Sequence, residues 1–127
     1  MSRLAADSSP ACVAEIVRAA RQRNKAWWIS SLLVFDGWRF CQYLEGDAVP
    51  VCALADRIRV DPRHTDFRQL HQGVFTGPPL LGGRSLVYAL SYDDSLDSVE
   101  EARGPQAVVL LTGLLPALDQ EPEFYGM

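Results

Sequence analysis

The chain has 127 residues, 48% of them apolar and 22% charged, with a net charge of −4. That balance suits one soluble globular domain with a single core. A single lysine (Lys25) and scattered arginines argue against the clustered positive charge that nucleic-acid binding needs.

Cys12, Cys41 and Cys52 are odd in number and lack Cys-x-x-Cys spacing, so they read as reduced thiols, not as a disulfide frame or a zinc site. No apolar run approaches the roughly 20 residues of a membrane span. Met1–Ala6 has no signal-peptide core. A cytoplasmic protein with no membrane partner is expected.

In chain order, Arg3 to Ala6 is a short strand candidate. Ser9-Pro10 opens a first helix, a serine cap followed by proline at the first helical position. Val13, Ile16, Val17 and Ala20 give it one apolar face, and Asn24-Lys25 end it. Trp27 to Phe35 is a strand, Asp36-Gly37 a hairpin turn and Trp38 to Leu44 the return strand. Alternation puts Trp38, Phe40, Gln42 and Leu44 on one face and Arg39, Cys41 and Tyr43 on the other.

Gly46-Asp47 opens a second helix with an apolar stripe of Val51, Leu54, Ala55 and Ile58, closed by Asp61-Pro62. Phe67 to Phe75 is a fourth strand candidate and Ser85 to Ser91 a fifth, separated by a loop rich in glycine and proline. Asp94 to Ala102 and Pro105 to Leu118 are helical.

The order is that of an α+β, ferredoxin-like βαββαβ sandwich with a fifth strand and C-terminal helices on the second sheet face. The expected division is residues 1–92 as the main domain, 93–118 as a helical extension packed on the sheet, and 119–127 as a tail.

The chemistry-bearing set is Asn24, Gln42, Arg63 and His64. Gln42 is an amide among large apolar side chains, a position that costs free energy without a hydrogen-bond partner. Amides that donate and accept, an arginine fork and apolar walls from Ile16, Ile29, Phe40 and Ile58 suit a planar heterocycle whose edge carries carbonyls and an imide N–H. Each residue also has a plainer role: Asn24 as a helix end, Gln42 bonded within the protein, Arg63 and His64 in a solvated loop.

The segments Phe40-Cys41-Gln42-Tyr43-Leu44-Glu45-Gly46 and Asp61-Pro62-Arg63-His64 resemble the BLUF family of flavin-binding blue-light sensors, and the resemblance runs from about Arg3 to Ser91. It implies FAD as cofactor, with FMN or riboflavin as alternatives, held by Asn24, Gln42, Arg63, His64, Ile29, Ser30 and Phe40. It further implies a homo-oligomer and signalling to an unidentified downstream protein.

In that family a first-strand tyrosine two residues before a serine bonds the active glutamine and supplies the electron and proton of the light reaction. Leu4-Ala5-Ala6-Asp7-Ser8 aligns there, placing Ala6 at the tyrosine position. The family's Thr-Gly of the second strand is Ser30-Ser31, and Leu81, Arg84 and Leu86 stand where an aromatic, a tryptophan and a methionine are usual. The reading is therefore a flavin-binding regulatory protein with an impaired or altered photocycle. The alternative is a cofactor-free interaction module on the same fold. No Ser-His-Asp, P-loop or metal-ligand pattern supports an enzyme.

Overall fold

A computed structural model describes residues 1–74 and 77–120. The centre of the fold is a hairpin of β2 (Ser30–Phe35) and β3 (Arg39–Glu45), paired from Ser30↔Glu45 to Phe35↔Phe40. Asp36 sets the turn, because its carboxylate accepts from the backbone N–H groups of Trp38 and Arg39. Gly37 adopts φ 104°, open to glycine at little cost.

β1 (Ser2–Leu4) joins β3 antiparallel, and β4 (His64–Thr65) joins β1. On the other side β5 (Leu86–Leu90) runs parallel to β2, and β6 (Asp119–Gln120) closes that edge. The strand order is β4-β1-β3-β2-β5-β6, and the sandwich is the ferredoxin-like one expected.

α1 (Cys12–Trp27) and α2 (Ala48–Arg59) precede and follow the hairpin. α1 buries Val13, Val17, Ala20 and Asn24, a stripe at helical spacing. It runs three residues past Asn24 and stops at Trp28, a non-glycine residue in the left-handed region at φ 56°. α3 (Leu96–Glu101), α4 (Pro105–Leu114) and a 3-10 turn (Leu115–Ala117) follow the fifth strand.

Strand alternation divides the core in two. Leu33 and Phe35 of β2, Phe40 of β3 and Leu86 of β5 pack with Val13, Val17 and Ala20 of α1. Leu32, Val34, Cys41, Val87 and Ala89 point the other way and pack with Leu96 and Val99 of α3 and Leu111 of α4. The C-terminal helices thus cover the second sheet face.

The fourth strand differs from expectation. Pairing occurs at His64–Thr65, and Phe67 to Val74 form no strand, while Phe75 lies outside the described residues. Arg68 still exchanges backbone bonds with Met1, so the segment follows the sheet edge without continuing its ladder. In the expected tail, Asp119–Gln120 pair with Ala89 and Leu90, and residues 121–127 lie outside the described residues.

Candidate functional site: a slot between two helices

Between α1, α2 and the sheet lies a slot. Ile16, Ala19, Ala20 and Arg23 face it from α1 and Ile58 from α2. Its floor is Ser31 and Leu33 of β2, Phe40, Gln42 and Leu44 of β3, and Leu86 of β5; Asp61, Arg63 and His64 close one end. The floor follows from the period of two in each strand. An apolar lining with a few polar groups is the make-up of a small-molecule site. The free volume is about 80 Å³, below the roughly 300–1,000 Å³ of pockets that hold drug-sized ligands. The donor set fits a heterocycle edge, and the walls must part to admit one.

Gln42 sits between Phe40 and Leu44 on the slot side, half-buried, and its carboxamide has no hydrogen-bond partner among the described residues. Phe40 lines the slot and stacks on Phe35 at 4.8 Å. Asn24 is fully buried. Its Nδ2 donates to Ser31 Oγ and to the Ser85 carbonyl, each at 2.7 Å, while its buried Oδ1 has no partner among the described residues. Asn24 thus stands behind Ser31, and Ser31 forms the wall.

Arg63 turns to Asp61, with Nη2 2.5 Å from Oδ2 and Nε 2.9 Å from Oδ1. The bond from Arg63 holds the Asp61 carboxyl below its ordinary range, against the effect of burial. His64 lies at the slot end with both ring nitrogens engaged. Nδ1 is 2.7 Å from Ser2 Oγ, and Nε2 donates to the Ile58 carbonyl, which can only accept. Its ring meets Phe67 edge-on at 5.9 Å.

Ile29 and Ser30 do not line the slot. Ile29 is buried where β2 begins, against Gly46. Ser30 is one residue out of phase with Ser31 and Leu33, so the pleat turns it to the opposite face.

Ala6 is not beside Gln42. β1 ends at Leu4, and Ala6 lies in the turn that follows. Ser2 pairs with Phe40 and Arg3 with Arg39. Continued by register, the β1 position opposite Gln42 is one step before Met1. The serine that this register brings to the site is Ser2, not Ser8. No tyrosine lines the slot among the described residues: Tyr43 is on the other face and donates to Glu45, Tyr88 lies over the outer side of α1, and Tyr92 is exposed. Of the family's fifth-strand counterparts, Leu81 is in the second core, Arg84 Nε donates to the Leu81 carbonyl, and Leu86 floors the slot.

Sequence reasoning placed Ser31 near the pocket wall but did not assign Leu33, Leu86, Asp61 or Arg23 to the site. Two signals were present. Ser31 and Leu33 share the phase of Gln42's cross-strand partner, and Ile16, Ala19, Ala20 and Arg23 repeat at i, i+3, i+4 and i+7.

No curated protein sequence matches the chain. Among solved structures, BlrB, a BLUF protein in its dark state, is similar at 25% identity over 91% of this chain and 90% of that one, with a TM-score of 0.76. BlsA in its photo-activated state has a TM-score of 0.76 at 18% identity over 96% and 94% of the two chains, a likeness of fold alone. Klebsiella pneumoniae BlrP1 with FMN and cyclic diGMP is 26% identical over 71% of this chain, with a TM-score of 0.62. The match spans only 23% of that longer protein. The family model for sensors of blue-light using FAD, BLUF, matches residues 1–77, more than half of the sequence, and the chain belongs to that family.

Proposed function

We propose that this chain is a flavin-binding sensory domain, with FAD or FMN seated in the slot, that signals in the cytoplasm through a downstream protein and as a homo-oligomer. Residues 1–92 are the sensing unit, and 93–118 carry the output surface. The observation that carries the reading is Gln42, a half-buried carboxamide without a protein partner among the described residues, set between Phe40 and Leu44 and free to donate to and accept from a ligand's polar edge. A bound flavin supplies light absorption and an electron acceptor. The chain's own residues hold it: Gln42 and the Ser31 hydroxyl at its polar edge, Ile16, Phe40, Ile58 and Leu86 on its faces. Arg63, bonded to Asp61 here, would offer its guanidinium fork to a ring carbonyl.

The altered photocycle is proposed on the described residues alone: none of their tyrosines faces Gln42, and the β1 position opposite it by register precedes Met1. The test is an absorption spectrum after reconstitution with FAD, in darkness and under blue light. A resolved flavin spectrum without a lasting red shift is expected. A lasting red shift would overturn the altered photocycle. A folded preparation that takes up no flavin would overturn the cofactor reading.

A second reading, the cofactor-free interaction module, is favoured by three features. The slot is narrow, Ser31 stands in front of Asn24, and Arg63 and His64 are satisfied within the protein. It predicts that Gln42→Ala leaves partner binding intact.

A further inference from the structure

We infer that an open groove on the outer side of α1 is the docking site for this chain's own residues 121–127, held there by pairing of Glu121 and Glu123 with Arg18 and Arg21. The inference is independent of whether the slot holds a flavin.

The groove measures about 520 Å³ and lies on the side of α1 away from the slot. Val13 and Val17 of α1 and Tyr88 of β5 line it, and Arg18 and Arg21 bring positive charge to it. Ala11, Ala14, Arg18 and Arg21 recur at helical spacing, so this stripe of α1 passes from small to basic along the helix. Lys25, seven residues beyond Arg18, continues the stripe and is exposed.

The described chain stops beside this groove. β6 pairs Gln120 with Ala89 and Asp119 with Leu90. Two further bonds pin it: Tyr92 Oη donates to Asp119 at 2.6 Å, and Gln120 Nε2 donates to the Leu115 carbonyl at 2.9 Å. Residues opposite each other in a ladder share a face. Ala89 belongs to the second core, and Gln120 turns to Leu115 on that same side. One step further in this register, position 121 falls opposite Tyr88, on the groove side. The period of two returns position 123 to that side. Both positions are glutamate, and Pro122 falls between them.

Direction agrees with phase. β1 and β2 are each antiparallel to β3, so they run parallel to each other, and α1, which crosses between them, runs opposite to both. β5 is parallel to β2 and β6 antiparallel to β5. The chain leaving Gln120 therefore travels with α1, toward its basic half. Exposed ion pairs are weak singly. A tethered segment meets its site at high effective concentration, so weak pairs suffice. Docking ties the C-terminal helices, through β6, to the helix that walls the slot.

The experiment follows amide hydrogen exchange of the full chain at residues 121 and 123–125. At low salt these amides should exchange about tenfold more slowly than in an unstructured chain. Arg18→Gln with Arg21→Gln, or Glu121→Gln with Glu123→Gln, should each return them to unstructured rates. The reversed set, Arg18→Glu and Arg21→Glu with Glu121→Arg and Glu123→Arg, should restore the protection. Arg103→Gln, an exposed arginine between α3 and α4, should change nothing. Salt at about 1 M, where the screening length is about 3 Å, should abolish the protection. Unstructured rates in the unmodified chain at low salt would overturn the docking. Protection indifferent to the charge substitutions would overturn the ion pairing in favour of a plain extension of β6. Protection that rises with protein concentration would overturn the contact within one chain and give the groove to the same segment of a second copy.

Discussion

Gln42 carries a side chain whose hydrogen-bonding capacity is unspent, and this separates a ligand contact from a structural amide. Replacing a bonded buried amide leaves its partners unpaired and costs stability; replacing an unpartnered one does not. Gln42→Leu should therefore leave the apo protein as stable as before, or about 0.5–1 kcal/mol more so in urea melts, while flavin affinity falls. Asn24 makes the opposite case. Its Nδ2 joins the end of α1 to Ser31 and to Ser85, so Asn24→Ala should cost about 1.5 kcal/mol with or without ligand. Asn24→Asp should cost more, because a carboxylate cannot donate to the Ser85 carbonyl. Alternation along β3 makes the direction of Gln42 legible in the sequence. The matching argument for β2 turned on one residue of phase: counted from the cross-strand pair Leu33↔Gln42, the slot serine is Ser31, and Ser30 faces away.

Among elements, the hairpin was legible because Asp-Gly turn chemistry and period-two alternation agree, whereas β4 and β6 were not. Each pairs only two residues, too few for any periodicity. β1 was misplaced for the same reason, and its register, not its sequence, shows that Ala6 lies beyond the strand. One device ties these short strands to the C-terminal helices. Arg39 of β3 is buried and bonds Asp36 at 2.8 Å, Asp97 at 2.7 Å and Glu100 at 2.8 Å, while Arg3 of β1 reaches Glu100 at 2.6 Å. Arg39→Ala strands the buried Asp36 and Glu100 carboxylates and should cost about 3–5 kcal/mol. Burial by itself favours the neutral acid at Glu100, but its bonds from Arg39 and Arg3 hold its pKa below the ordinary 4.5. A lowered folded pKa gives stability that is complete above about pH 4.5 and is lost as pH falls through the folded value. Glu100→Gln should flatten that acid limb in urea melts run from neutral pH downward. If the limb keeps its slope, the acid sensitivity lies elsewhere, with Asp61 the next group to test.

At the scale of the whole molecule, one sheet separates two cores, and β3 borders both: Gln42 faces the slot while its neighbours Cys41 and Tyr43 face the C-terminal helices. Any rearrangement at Gln42 thus has one peptide unit to cross to reach the second face. The family and the strand order were legible because they depend on long, strongly patterned segments. The closed state of the slot was not, since it depends on side-chain choices such as Arg63 turning to Asp61. How firmly the second face is covered decides whether it can relay a signal or merely detaches. α4 buries Ala107 and Leu111 against the sheet and exposes Val109. Leu111→Ala should cost about 3 kcal/mol, the transfer and cavity terms for a buried leucine, and Val109→Ala should fall within about 0.5 kcal/mol of zero. Fluorescence and far-UV melts of Leu111→Ala in urea should coincide in a single transition with an unchanged slope. A separate low-urea step, leaving α1, α2 and the slot intact, would show that the C-terminal helices dock as an independent unit and that the two cores do not fold as one.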